Sequence, residues 1–510
     1  MCTVRTIIVS KTYVNMKVMN FNPWNLLSGA ALNGHHHNID PGIESHHHSQ
    51  QKLNHYTTIL IMMLSILMGV LLNVYYRNSD VDAENEYGII LASVLYAIVV
   101  IPYMALPIGL GNVIGIACFN PFEEVQTRGI NFEALPRICF RVVTRGIYKK
   151  LILSNLLKNR ETCIKSGLRN FLFEVVADVY IPGIEGLCRH LTVPNSYKTK
   201  RGTLFKARAL NYCLEPGVSD IEEDEWVVHL DEETILTPSS IYGIINFIKD
   251  GKADIGQGAI SYANGEVVNW LTTLADSVRL AIDYGMFRFQ LAVCHRPLFG
   301  FKGSYIVIKQ GVEKEVGFDF GPRGSIAEDC YLGLLAWKKG YKFGFILGEM
   351  QEKSPFTCMD YIRQRRRWFV GQMLTALSGE IPFYCKLCLI MSLSCNILMP
   401  ISISNLFLNT FFPLAKPTIM QILTGFLGGI FAFLYGFGAY KSLHGRPWGI
   451  SKLTVVCISS CVLVIPLAAC MDSLATFWGL FNLNSNHFYL IQKDTHKFKR
   501  SRSHGTVNIS

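Results

Sequence analysis

Long apolar runs and stretches of mixed polarity alternate along the chain, and their lengths divide it. Residues 57–76 form an uncharged apolar run of roughly the twenty residues that cross a bilayer as a helix. Residues 87–119 form a second, interrupted by Pro102 and Pro107, and three more follow at 387–414, 418–440 and 453–481. Between residues 120 and 379 no run is long and apolar enough to span. There the pattern changes to short β-branched and aromatic segments, at 138–143, 171–176, 226–230 and 305–308, that read as strands. Strands alternating with helical stretches predict a largely parallel sheet, and about 260 residues suffice for a separate core. The expected organisation is a polar tail over 1–52 with histidine triplets at 35–37 and 46–48, two transmembrane helices within 53–119 and an α/β domain over 120–379. Three or four transmembrane helices within 380–484 and a basic tail over 485–510 complete it.

Composition agrees with this division. Half the residues are hydrophobic and only 17% are charged, which excludes a typical soluble enzyme. The net charge of +10 is scattered rather than gathered into one stripe, which argues against a nucleic-acid partner. Many of the fifteen cysteines fall inside apolar runs, the pattern of packed, reduced thiols rather than of a disulfide framework. Charge also orients the chain. Asp80, Asp82, Glu84 and Glu86 lie between the first two spans, whereas Arg128, Arg137, Arg141 and Arg145 follow the second, so the positive-inside tendency places the α/β domain in the cytosol. Three C-terminal spans would put Lys497, Lys499, Arg500 and Arg502 on the far side, against that tendency. A bend at Pro466 or a break at Pro400 would give four spans and return the tail, and both counts stay open.

Chemistry concentrates in the α/β segment. The 226–230 run drives into Asp231, Glu232 and Glu233. If extended geometry persists, Asp231 and Glu233 point to one side at the carboxyl end of a strand, where α/β sheets bind ligands. Two carboxylates so placed can hold a hard divalent cation against a diphosphate. Asp178 closes the second strand as an acceptor for a base or ribose. The Lys-Ala-Arg-Ala-Leu-Asn run from Lys206 to Asn211 sets a cation near a helix start that itself favours an anion. Glu328 and Asp329 form a second carboxylate pair, and Gln364, Arg365, Arg366, Arg367 and Trp368 join guanidinium forks to an aromatic ring, suited to phosphate and to a sugar face. Each feature has a bland counterpart: an acidic turn, a cap, a solvated lysine, favourable charge at a helix start, or arginines that signal topology before a span. Their joint occurrence in this order favours chemistry.

In that order the residues resemble the membrane glycosyltransferases of family 2. That family's GT-A nucleotide-sugar domain carries an Asp on the second strand, a Lys-Ala…Leu-Asn segment, an Asp-x-Asp, a Glu-Asp pair and a Gln-x-x-Arg-Trp motif. Here these look like Asp178, Lys206 with Asn211, Asp231 with Glu233, Glu328 with Asp329, and Gln364 with Arg367 and Trp368. The wording at 141–146, 229–233 and 327–332 is nearer still to the family's invertebrate β-1,4-mannosyltransferase branch, and the likeness covers about residues 55–490. Glu233 replaces the usual second Asp, and Val-Thr-Arg-Gly at 143–146 stands where many relatives have Pro-x-Tyr-Asn.

The resemblance implies an α/β GT-A (Rossmann-like) catalytic domain inserted between transmembrane helices, in a multi-pass protein of the Golgi or endoplasmic reticulum. It implies inverting transfer of mannose from GDP-mannose to the glucose of glucosylceramide on the cytosolic side. It further implies Asp329 as the base with Glu328 beside it, and Asp231 and Glu233 holding Mg²⁺ or Mn²⁺. Lys206, Arg365 and Arg367 would lie around the phosphates, with Thr144, Arg145, Asp178, Asn211 and Gln364 in the nucleotide-sugar set and Trp368 stacked on the acceptor sugar. A processive polysaccharide synthase shares every motif and is the alternative. A transporter with a regulatory nucleotide-binding domain would need charges within the spans, where Asp472 is the main one.

Overall fold

The computed structural model describes residues 41–483, apart from 77, 78, 127, 128, 130 and 264, together with residue 492. Seven strands make one sheet: β1 (Ile138–Thr144), β2 (Phe171–Ala177), β3 (Arg189–Thr192), β4 (Trp226–Leu230), β5 (Ile255–Ser261), β6 (Ile306–Lys309) and β7 (Phe343–Gln351). Their order is β3-β2-β1-β4-β6-β5-β7. All neighbours are parallel except β6, which runs antiparallel to both β4 and β5. The four strands expected from β-branched runs are present. The other three carry weaker signals. β3 is a short polar edge, and β5 and β7 are interrupted by glycines, with a register shift between Gly258 and Ala259. At Gly348 in β7 the backbone is left-handed (φ +87°), and a Cβ would meet the Ser239 carbonyl oxygen at 2.2 Å, so glycine is required there.

The pleat sends alternate residues to two cores. Ile138, Phe140, Trp226, Val228 and Val307 pack on one face, and Cys139, Val227, Ile306 and Ile308 on the other. The second core continues through Phe369 and Leu374 of the Cys358–Ala376 helix to Cys385, Leu389 and Leu393 on the Phe383–Phe411 helix. Domain and membrane portion therefore share one apolar core.

Arg141, counted in the sequence as a topology charge, is instead fully buried in β1. Its guanidinium lies 2.6 Å from Glu174 on β2 and 2.9 Å from Glu313, and Glu313 also meets His229 of β4 at 2.9 Å. The charge ties three adjacent strands to the Gln310–Val316 helix.

Among the described residues five helices are long and apolar enough to cross a membrane: Asn54–Tyr75, Ile89–Cys118, Phe383–Phe411, Thr418–Leu443 and Ile450–Leu480. Pro102 and Pro107 do interrupt the second, which tightens to a 3₁₀ turn at Ile101–Ala105. Three such helices follow the domain. The first of them continues as helix through Pro400, and the last passes Pro466 after a π-helical turn at Ser460–Val464. At the other end the first helix begins at Pro41, so the triplet at 46–48, expected in an unfolded tail, is helical; the triplet at 35–37 lies outside the described residues. Close backbone approach fixes the domain on these helices. A Cβ on Gly115 would meet the Gly285 carbonyl oxygen at 1.9 Å, and one on Gly438 would meet that of Ser277 at 2.2 Å.

Replacing Arg141 by methionine keeps the volume but leaves Glu174 and Glu313 buried without their shared cation. The expected loss is about 3–5 kcal/mol, read as a lowered denaturation midpoint of the detergent-solubilised chain.

Candidate active site

The carboxyl ends of β1, β2 and β4 open onto a cavity of about 680 Å³ between the sheet and the Cys358–Ala376 helix. At the end of β4 the chain does not stay extended. The Thr234 N–H donates to the Asp231 carbonyl at 3.1 Å, closing a turn over the three acids. Asp231 and Glu233 both still line the cavity, and so does Glu232, which the two-residue spacing sets aside; it is buried in the wall and accepts a hydrogen bond from the Thr144 hydroxyl at the end of β1. Asp178, at the end of β2, accepts from Arg208 at 2.9 Å and has Arg145 3.9 Å away.

Lys206 sits near the start of the Phe205–Cys213 helix and occupies the centre of the acids. Its ammonium lies 2.6 Å from Asp231 and 3.5 Å from Glu328. Burial works against its charge, but Asp231, Glu328 and Asp329 outweigh burial and hold its pKa above the ordinary lysine value. Glu328 and Asp329 open the Glu328–Lys338 helix, where the N-terminal dipole favours negative charge. The Asp329 carboxylate accepts from the backbone N–H groups of Cys330, at 2.8 Å, and Gly303. Burial raises the pKa of both acids, that of Glu328 to about 7 despite Lys206.

The Cys358–Ala376 helix closes the cavity from the membrane side. Thr357 caps it, accepting from the Asp360 N–H at 3.0 Å. Gln364, Arg365, Arg367 and Trp368 all line the cavity, but Arg365, expected at a phosphate, commits its guanidinium to Asp276 at 2.5 Å and Asp472 at 3.5 Å. That contact gives the one carboxylate in the last apolar helix its partner. Two guanidinium groups lie on the Trp368 ring, Arg279 at 4.3 Å and Arg365 at 4.5 Å from its centroid. Asn211 is not brought to the cavity. Its amide donates to the Tyr197 hydroxyl at 2.8 Å and accepts from the Phe318 N–H at 3.4 Å, so it braces the helix from behind.

The sequence reading missed Glu232, Asp276, Arg279, the buried Asp283–Lys302 pair and Glu352, all of which line the cavity. Glu352 accepts from Thr234 at 2.7 Å, and burial followed by the charge of Asp231 raises its pKa. For Asp276 and Arg279 the available signal was two charges in the otherwise uncharged Trp270–Ile282 helix.

Among the described residues no three His, Cys, Asp or Glu side chains are grouped as a ready metal cage. Asp231 and Glu233 nevertheless offer hard oxygen donors on one wall, which fits a cation that takes its remaining ligands from phosphate and water. The cavity lining also includes Ser392 and Asn396 on the Phe383–Phe411 helix.

Fold and cavity together are those of a protein with apolar spans flanking an α/β domain and a strand-end ligand site, and comparison with known proteins gives its class. Residues 226–471 match the family described as Glycosyl transferase family group 2. The chain is 43% identical over 416 residues to the β-1,4-mannosyltransferase egh of Drosophila melanogaster, covering 81% of this chain and 90% of that protein. It is 42% identical over 412 residues to the β-1,4-mannosyltransferase bre-3 of Caenorhabditis elegans, covering 80% and 90%. The chain belongs to this family: it is a glycosyltransferase with a GT-A fold set among membrane helices.

The raised Glu328 pKa gives a pH signature. A carboxyl that moves from 4.5 to about 7 on folding binds its proton more tightly in the native state. Its ionisation therefore costs nothing below the unfolded value, and removes stability progressively until the full cost is present above pH about 7. Glu328→Gln abolishes that cost, so the melting temperature of the variant minus that of the wild type should grow as pH is raised from about 5 to about 8. A pH-independent difference would contradict the assignment.

Proposed function

We propose that the chain transfers mannose from GDP-mannose to the glucose of glucosylceramide, forming a β-1,4 linkage with inversion, with its catalytic domain on the cytosolic face of a Golgi or endoplasmic reticulum membrane. The names of the relatives support mannosyl transfer. One observation supports a lipid acceptor above others: the cavity that holds the acids extends down to Ser392 and Asn396 on a membrane helix. A sugar whose lipid anchor stays in the bilayer can reach the acids by that route, whereas a water-soluble acceptor has no need of it.

Inversion requires one in-line displacement. The acceptor hydroxyl oxygen bonds to the sugar's anomeric carbon as the bond to the diphosphate breaks, and the hydroxyl proton passes to a base. Asp329 fits that role. Two backbone N–H groups fix its orientation, and burial raises its proton affinity towards the working range. Lys206 stays protonated and contributes positive charge where the diphosphate gathers negative charge. A Mg²⁺ or Mn²⁺ held by Asp231 and Glu233 would supply further positive charge to the departing diphosphate. Thr144, Arg145 and Asp178 at the strand ends suit the nucleoside side, and Gln364, Arg367 and Trp368 suit the sugars; Arg365 acts through Trp368 and the helix that carries it.

Membranes containing the chain, given labelled GDP-mannose and glucosylceramide, should yield a labelled product that extracts into organic solvent, and should not do so with UDP-glucose or UDP-N-acetylglucosamine. A polymeric product would support a polysaccharide synthase instead. Asp329→Asn should lower transfer by about 10²–10⁴ while GDP-mannose binding is retained; lost binding would contradict its role as base. Asn396→Leu should raise KM for the lipid acceptor several-fold (about 1 kcal/mol of a lost hydrogen bond) and leave the donor KM unchanged.

A further inference from the structure

Four of the five long apolar helices join the catalytic domain to a remote end. His55, at the start of the first, contacts the Ile116 carbonyl near the domain end of the second at 2.9 Å. The second then delivers Asn120, whose carbonyl accepts from the domain's Arg288 at 2.8 Å. The start of that second helix is remote, where Tyr87 and Tyr96 hydrogen-bond to the carbonyls of Pro413 and Ala415 in the loop between the third and fourth. The fourth returns and ends with Lys441 3.0 Å from Glu349.

The fifth, Ile450–Leu480, behaves differently. It begins at the domain, where the Trp448 ring lies tilted 5.6 Å from that of Trp270 and Arg446 donates to the Ala263 carbonyl at 2.7 Å. Along the fourth helix its side chains bond at Tyr435 and Ala432, a level that the domain helix Trp270–Ile282 also reaches, since Val278 and Ala281 share a core cluster with Ile430, Phe433 and Leu434. Its middle then turns under the domain. Val464 and Ala468 pack with Leu274, Ala275 and Tyr361, Asp472 pairs with Arg365, and Gly479 abuts Phe369 and Val370. These contacts advance in step along the Cys358–Ala376 helix, so the two run side by side in the same direction. Leu480 and Leu483 end against the domain's own core, and the Gln492 side chain accepts from the hydroxyl of Tyr148 in the α/β domain at 3.1 Å.

We infer that Ile450–Leu480 does not cross the bilayer. It lies in the membrane surface under the catalytic domain, so four helices cross and both chain termini are on the catalytic side. At about 1.5 Å per residue it is long enough to span, yet its start, middle and end all stay on the domain. Its outward stripe remains apolar, with Val462, Leu463 and Phe481 at 62%, 60% and 84% exposure, which suits contact with the upper acyl chains. Trp478, with the Arg366 guanidinium 4.5 Å from its centroid, has the composition of the headgroup layer. A carboxylate at Asp472 is costly at a bilayer centre but not at its edge. This placement also returns the basic residues 497–502 to the same side as the domain, in keeping with the positive-inside tendency. It does not depend on which sugar or lipid the enzyme uses.

The test uses the untagged, full-length chain in sealed membrane vesicles of one orientation. Antibodies are raised against a peptide of residues 495–510, an epitope of the catalytic domain, and the loop at 80–86. The C-terminal and catalytic epitopes should be recognised or protected together, with their signal ratio unchanged on permeabilisation, while the loop epitope shows the opposite accessibility. A C-terminal signal that behaves like the loop would mean a fifth crossing and would overturn the inference. A loop signal that follows the catalytic domain would remove its four-helix frame and overturn it equally.

Discussion

The ammonium group of Lys206 is the point on which the cavity depends. Asp231, Glu328 and Asp329 come from two distant segments of chain, and gathering them out of water would be prohibitive without a cation among them. Lys206 reaches that position because the helix carrying it starts beside the ends of the parallel strands, and Phe205 takes a left-handed backbone (φ +54°) to start it. The consequence is a site with two electrostatic halves: acids neutralised by a resident cation on the strand side, and guanidinium groups around Trp368 on the membrane side.

Much of this was legible because strand-end acids and cations at helix starts are local signals. Asp178, Asp231, Lys206, Glu328 and Trp368 could be picked out from neighbours within a few residues. Other residues depend on partners far along the chain. Arg141 reads as one of several surface arginines until Glu174 and Glu313 are brought around it by strand pairing. Arg365 reads as a phosphate ligand until Asp276 and Asp472 close on it. Alternation sets Glu232 aside because it assumes an extended chain, whereas the turn at Asp231 leaves all three acids in the cavity wall, Glu232 the most buried of them and tied to Thr144. Asn211 belongs to a motif by spelling, but it lies five residues beyond Lys206, roughly 1.4 helical turns, which carries it to a different face of its helix. The strands that escaped notice, β3, β5 and β7, are polar or rich in glycine, and tertiary packing rather than propensity makes them strands.

The shared core explains how a domain of mixed polarity can be held at a fixed height over lipid. Glycines at 115, 285 and 438 let helices touch backbone to backbone, and the face formed by Cys139, Val227 and Ile308 continues without a break into Leu389 and Leu393. The cavity inherits that rigidity. Its strand-side wall belongs to the sheet, and its floor belongs to a helix whose start is part of the same core.

The charge cluster of Asp276, Arg365 and Asp472 joins three segments that would otherwise be assigned to different compartments of the molecule: a domain helix, the helix bearing Trp368, and the last apolar helix. An excised catalytic fragment ending before residue 450 would keep the guanidinium and forfeit one of its two counterions, and would lay bare the seat of Gly479 on Phe369 and Val370. The lipid-facing part is therefore no detachable anchor. Any effort to obtain this enzyme as a water-soluble piece would be cutting through its active centre.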